Sequence, residues 1–180
     1  MIGEVAMRAL ARMACMTMIF AFFAVDASFA QQAATGCESA QGPNAAQTLR
    51  CRGGLIIVAE QGAKYTLQSL DKRREVTAVD LQGKAVLIDA PRQYGKIRFR
   101  VTTPQAIAAV RGTKWAVDVQ DSRTSVLVLA GQVAVRRPVG AGQVLLGPGD
   151  GVDVDPGNDA LVVKRWPQPR VAALLARLGQ

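Results

Sequence analysis

FRVTTPQAIAAVRGTKWAVDVQDSRTSVLVLAGQVAV, residues 99–135, is the stretch whose reading decides the fold. It continues an alternation that begins at Lys96. Ile97, Phe99 and Val101 point one way, and Lys96, Arg98 and Arg100 point the other. After Thr103-Pro104 a second apolar stretch runs from Ala106 to Val110, and Arg111-Gly112-Thr113 interrupts it as a turn. Trp115, Val117 and Val119 then share one face of a third strand. Ser125 to Ala130 is an unbroken apolar run, the pattern of a strand buried on both faces. Gly131-Gln132 turns it into Val133 to Arg137. Nothing in the stretch supplies a nucleophile with its base or a set of metal ligands.

The same texture extends in both directions. Upstream, Leu55 to Glu60 and Lys64 to Leu70 read as strands, the second followed by the charged turn Asp71 to Arg74. Glu75 to Leu81 and Lys84 to Ala90 are predicted as two strands separated by a turn at Gln82-Gly83, with Pro91 as the stop. Downstream, Gln143 to Leu146 and Gly151 to Asp155 flank Gly147-Pro148-Gly149-Asp150, and Ala160 to Trp166 is the last strand. Short strands with turns every eight to twelve residues give an all-β class; the pattern serves a sandwich, a barrel or a solenoid equally. The tail alone is helical. After Pro169, the residues Val171, Leu174, Leu175 and Leu178 recur at helical spacing, with Arg170 and Arg177 off the stripe. This amphipathic helix is expected to cap an open end or edge of the β-structure, with docking to another protein as the alternative use.

The N-terminus reads as an address. Arg8 and Arg12 precede an apolar run from Met13 to Val25, and Ser28-Phe29-Ala30 supplies small residues for cleavage after Ala30. The run is about a dozen residues long, against roughly 20 needed to span a bilayer, which favours a cleaved signal peptide over a retained anchor. Export to the periplasm follows as the expected localisation. Residues 31–53 are polar and carry no strand or helix pattern, so they are expected to form a linker or an irregular cover. The expected organisation is therefore a signal peptide at 1–30, this polar segment at 31–53, a β domain at 54–166 and the helix at 167–180. Of the three cysteines, Cys15 leaves with the signal, and Cys37 and Cys51 most simply form one disulfide in an oxidising compartment, two free thiols being the alternative.

Composition narrows the function. The chain contains no histidine, which excludes Ser-His-Asp and Cys-His catalysis and His-rich zinc sites. Its net charge is +8, suited to an anionic envelope component or an acidic protein patch, with solubility alone as the alternative; nucleic acid is a poor fit for an exported protein. Asp150, Asp153, Asp155 and Asp159 lie among glycines as calcium loops do, but Lys164 stands where the closing Glu would fall counted from Asp153. The GPGD turn without histidines does not make a cupin metal site, and no pair of carboxylates is spaced to argue for glycoside hydrolysis. No cofactor, metal or catalytic residue is assigned. The outward stripe Lys96, Arg98 and Arg100 is the candidate partner-binding surface; protection of an exposed strand is the alternative reading.

The order of these elements resembles the FecR-type periplasmic domain. The features that carry the likeness are Thr103-Pro104, Ala106 to Val110, Arg111-Gly112-Thr113, Trp115 two positions later, and Val117 with Val119. Val126 to Leu129, Gly131, Val133 and Val135 follow. Upstream REVTAVDLQGKA, residues 74–85, and downstream LLGPGDGVDV extend it, so that it spans Leu55 to Val154. Thr103, Pro104, Arg111, Gly112, Thr113, Trp115 and Gly131 are read as building the fold: the glycines for backbone freedom, Thr113 for hydrogen bonding the turn, Trp115 for core area. The resemblance implies a β-rich periplasmic domain that senses a signal and passes it to a membrane or envelope signalling protein. In the best-known members a cytoplasmic segment and a transmembrane helix precede this domain. Here a cleavable signal stands in their place and only a short tail follows, so the expected form is a free-standing, non-catalytic sensor or adaptor that does not act directly as an anti-sigma factor. The alternative is a structural protein that binds an anionic envelope glycan or lipid. Oligomeric state is not legible.

Overall fold

The computed structural model describes residues 36–69, 75–91, 99–110, 112–140 and 142–180. Among these residues thirteen strands run in chain order as β1 (Cys37–Gln41), β2 (Gln47–Cys51), β3 (Ile56–Ala59), β4 (Lys64–Ser69), β5 (Val76–Asp89), β6 (Phe99–Thr102) and β7 (Ile107–Val110), then β8 (Lys114–Gln120), β9 (Arg123–Ala130), β10 (Val133–Arg136), β11 (Gln143–Leu146), β12 (Asp150–Val154) and β13 (Val163–Arg165). One α-helix, α1 (Gln168–Arg177), follows. Among the described residues no helix is long and apolar enough to cross a membrane.

β5 organises the whole arrangement because it belongs to two sheets. Its first half pairs with β4 and β6, and its second half, from Lys84 on, pairs with β3 and β8. Sheet A has the order β1-β2-β3-β5-β8-β9-β12-β13, and sheet B the order β4-β5-β6-β7-β10-β11. The turn predicted at Gln82-Gly83 is therefore not a turn. The strand continues through it and bends, with Lys84 at a φ of 64°, so that it leaves one sheet and enters the other. The residues on either side of the bend find partners in different sheets, and that pairing overrides the local preference of Gln-Gly for a reversal.

One apolar core lies between the sheets. Val79, Leu81, Val86 and Ile88 of β5 meet Phe99, Val101, Trp115, Val117, Val126, Val128, Val133 and Val135, all nearly or fully inaccessible. Of the strand pairings described, only β5 with β6 is parallel. The sheets therefore form a sandwich that is joined along β5, whereas a solenoid would stack parallel repeats. Sheet A is apolar on its other face as well: Ala85, Leu87, Ala116 and Leu127 form a second cluster with Leu174 of α1, with Leu178 at its C-cap and with Trp166. The double burial read from Ser125 to Ala130 is seen here, with Val126 and Val128 inward and Leu127 outward. The helix lies across this face and not over an end or edge, because the face is too apolar to be left in water.

The segment expected to be irregular contains a hairpin. β1 and β2 pair antiparallel with Cys37 directly opposite Cys51, and the two are joined by a disulfide. β2 then pairs with β3, which makes the hairpin the margin of sheet A, and Leu49 enters the core. The polar sequence hides these strands because only Leu49 and the cysteines face inward. The turn of the hairpin also holds the far end of α1: Asn44 donates from Nδ2 to the Ala176 carbonyl at 2.7 Å. Gly179 sits so close to the Pro43 carbonyl oxygen that a Cβ there would lie 2.7 Å from it.

Candidate functional site

The residues singled out from the sequence as a motif gather where the chain crosses between sheets. Gly112-Thr113 carries it from β7 in sheet B to β8 in sheet A, and Gly131 carries it back from β9 to β10. The two crossings touch. Gly112 and Gly131 have φ of 66° and 82°, and a Cβ on Gly131 would lie 2.4 Å from Thr113 Cγ2 and 2.8 Å from the Gly112 carbonyl oxygen. Glycine is needed at Gly131 for both conformation and space. The expected hydrogen bond from the Thr113 side chain is not made: its hydroxyl is buried with no partner among the described residues, while its carbonyl accepts the Ala90 N–H at 2.9 Å. The methyl group, packed against Gly131, is the part of Thr113 that the crossing uses.

Thr103 is the polar centre of the neighbouring turn. Its hydroxyl lies 2.9 Å from the Ala106 N–H, which it accepts, and 2.8 Å from the Thr124 hydroxyl on β9. Thr124 in turn donates to Gln105 Oε1 at 2.9 Å. Pro104 is exposed in this turn, and Trp115 is wholly buried in the core. Arg111 lies outside the described residues. Every described member of the motif thus shapes the backbone or the core, and none presents a reactive group in a cleft.

The strongest charge cluster lies between α1 and sheet A and was not foreseen. Arg177 donates to Glu60 Oε1 and Oε2 at 3.1 and 2.6 Å, and to Asp118 Oδ2 and Oδ1 at 2.7 and 2.9 Å. Arg170 donates to both oxygens of Asp153, at 2.9 and 2.5 Å, and lies 3.5 Å from the Trp166 ring centroid. Ser125 donates to Asp153 as well, at 2.6 Å. Burial pushes the Glu60 carboxyl up, but the Arg177 and Ala85 hydrogen bonds and the nearby Arg177 and Lys84 charges outweigh it and leave its pKa below the ordinary value. Asp153 behaves alike: burial raises it, and Arg170, Ser125 and Arg123 bring it below its ordinary range. The hydrogen bonds that Arg177 donates to Asp118 and Glu60 hold it more firmly protonated than a free guanidinium.

These pairs are spread widely in sequence, and their arginines flank the apolar stripe of the helix, so periodicity alone did not expose them. A cleft of ≈ 480 Å³ opens beside them, lined by Gln120, Asp121, Ser122, Arg123, Trp166 and Arg170 among others. Arg123 is 2.6 Å from Asp155. The arginines that line the cleft each hold a carboxylate, and Arg170 and Arg177 thereby fasten the helix to the sheet. Among the described residues no cluster of three or more His, Cys, Asp or Glu side chains could hold a metal ion.

The outer face of sheet B offers a different kind of surface. By register, Arg100, Ala109, Ala134 and Leu145 stand side by side across β6, β7, β10 and β11, and Thr102, Ile107, Arg136 and Gln143 form the adjoining row. Arg100, Arg136, Gln143 and Leu145 are exposed. Of the proposed basic stripe, Arg100 therefore stands on this outward face, while Lys96 and Arg98 lie outside the described residues. Arg136, which the sequence reading passed over, is the second cation on the face; only strand register places it near Arg100.

Comparison with known proteins agrees with this architecture. The family model described as FecR protein matches residues 40–134, more than half of the chain. No curated protein matches it. Among solved structures, a candidate anti-sigma factor from Parabacteroides distasonis ATCC 8503, determined at 1.65 Å, superimposes with a TM-score of 0.50 at 22% identity. The match covers 77% of this chain and 60% of that one. A second crystal structure of a candidate anti-sigma factor from the same organism, at 2.50 Å, gives a TM-score of 0.48 at 20% identity with the same coverage. The likeness is one of fold.

Proposed function

The chain belongs to the FecR protein family, and from that premise we propose that it is a non-catalytic regulator of signal transduction that works by binding another protein. In this reading it is exported to the periplasm by its N-terminal signal and acts there as a sensor or adaptor for a membrane or envelope signalling protein. The family match over residues 40–134 is the observation that carries the reading. The fold shared with a candidate anti-sigma factor is consistent with it, although the matched region spans only 60% of that protein. The described residues support binding over chemistry: the arginines of the cleft are each tied to a carboxylate, and the motif residues shape the backbone. The outer face of sheet B, with Arg100 and Arg136 among small residues, is the surface assigned to the partner.

In-cell crosslinking of the tagged protein in its native envelope tests this. Stoichiometric recovery of a receptor or signalling protein is expected, and an Arg100→Ala, Arg136→Ala variant that folds normally should recover much less of it. Recovery of glycan or lipid alone would overturn the reading in favour of a structural envelope role.

A further inference from the structure

A two-sheet sandwich has four edge strands, and an edge with unpaired backbone groups recruits other strands unless it is protected. Three of the edges here are protected. β13 at one side of sheet A is three residues long and carries Lys164 and Arg165. β1 at the other side is exposed and polar, with Glu38. β4 at one side of sheet B carries Lys64, and its pairing with β5 is irregular at Lys64/Tyr65 and Gln68/Ser69. β11 at the other side of sheet B is Gln-Val-Leu-Leu: uncharged, free of proline, and regular in its pairing with β10. Among the described residues β10 is its sole strand partner.

Exposed apolar side chains concentrate in this part of the sequence. The large hydrophobic residues left exposed among those described are Leu145 on β11, 59% accessible, Val139 in the β10–β11 loop, 82%, and Val162 and Val163 at β13, 56% and 39%. All fall in the last third of the chain. The β10–β11 hairpin is also one-signed in charge: residues 131–149 contain Arg136 and Arg137 and no Asp or Glu. Arg137 is already engaged with the carbonyls of Asp155 and Asp159, which leaves Arg136, exposed beside Gln143, as the cation that an incoming segment would meet.

We propose that β11 is a strand-addition site that accepts an extended, acidic segment of a partner protein, with apolar side chains on Leu145 and a carboxylate near Arg136. Main-chain hydrogen bonds to the free edge supply the affinity, and the two side chains supply the choice. Charge selects this occupant over a second copy of the chain. Antiparallel pairing of β11 with itself would bring two Arg136-bearing hairpins of a +8 protein together, whereas an acidic strand lowers that repulsion. The proposal deepens the protein-binding reading above and rests on it.

The experiment uses the full mature chain and three synthetic ten-residue peptides of alternating Val and Thr, flanked by Glu, by Ser or by Lys, followed by fluorescence anisotropy and by amide hydrogen exchange. The Glu-flanked peptide should bind at least tenfold more tightly than the Lys-flanked one and slow exchange at residues 143–146. Leu145→Lys should abolish binding, and Thr66→Lys on the β4 edge should leave it unchanged. Equal binding of the three peptides, or binding that survives Leu145→Lys, would overturn the proposal. So would a concentration-dependent dimer of the free protein that Leu145→Lys dissolves, since a copy would then be the occupant. Crosslinking in the envelope separates the two readings: a Leu145→Lys protein that still captures the signalling partner defeats the edge alone, and peptide binding with no protein captured defeats the signalling role alone.

Discussion

Sheets A and B share β5 and one core, yet their outer faces have opposite characters. On sheet A the outward residues Ala85, Leu87, Ala116 and Leu127 are buried beneath α1. On sheet B the corresponding rows mix Arg100, Thr102, Arg136 and Gln143 with Ala109, Ala134, Ile107 and Leu145. The difference is written in the strands. β9 is apolar at consecutive positions and requires cover on both sides, whereas β6 alternates and can leave Arg100 in water. A sheet that must be covered recruits its own helix; one that need not be covered stays available for other molecules.

The two faces remain distinct only while the chain crosses between the sheets in the right places, so the largest effect is expected at a crossing. Gly131→Ala would place a Cβ against Thr113 and the Gly112 carbonyl at a positive φ. The cost should exceed about 3 kcal/mol, since both strain and overlap must be relieved by moving backbone. Urea unfolding measures it. A loss below about 1 kcal/mol would mean that the paired crossings are not what holds the sheets in register.

Next in size is removal of the cover. Leu178→Ala, at a fully inaccessible side chain of the second cluster, should cost about 3 kcal/mol. Ile107→Ala, on the outer face of sheet B and half-buried, should cost about 1 kcal/mol. The ratio of the two losses, each from the same denaturation series, is a direct measure of the contrast between the faces. Equal losses would show that sheet B is covered as fully as sheet A.

How much of this was legible follows from how each feature is encoded. Strands β6 and β8 are periodic, and their inward residues Phe99, Val101, Trp115, Val117 and Val119 are those that alternation marks. The apolar stripe of α1 was equally plain, and Leu174 and Leu178 bury as it indicates. Three features were not legible. The β1–β2 hairpin is polar on its accessible side and is held by a disulfide and by pairing to β3, neither of which leaves a periodic trace. The continuity of β5 depends on which sheet each half joins, a tertiary fact that Gln82-Gly83 conceals. Arg170 and Arg177 lie off the stripe and their partners leave no sequence signal, because Asp153, Glu60 and Asp118 approach them only after folding.

Those arginines give a smaller, pH-dependent prediction. Glu60 and Asp153 titrate below their ordinary values in the folded protein, so as the pH falls the unfolded chain takes up protons first. The contribution of the fastening is complete above about pH 5 and fades as the pH drops below about 4, through the folded-state values. Arg177→Met should cost about 2 kcal/mol at pH 7, a discounted figure for partly exposed partners, and less at pH 3. Proteolytic release of the tail, followed across pH, reports whether α1 is what loosens. A cost that is the same at both pH values would show that packing by Leu174 and Leu178 holds the helix without help from the ion pairs.

The smallest effect on stability is expected on the face assigned to the partner. Arg100 is exposed, and no hydrogen bond or ion pair ties it to another described residue, so Arg100→Ala should change stability by less than about 0.5 kcal/mol. A cation kept on an open sheet face, with small Ala109 directly opposite it, contributes little to the fold. Its removal should lower capture of the signalling protein while leaving the melting temperature in place. If instead Arg100→Ala destabilises the protein as much as Leu178→Ala does, the open face of sheet B is part of the folded core's support, and the partner must be sought at another surface.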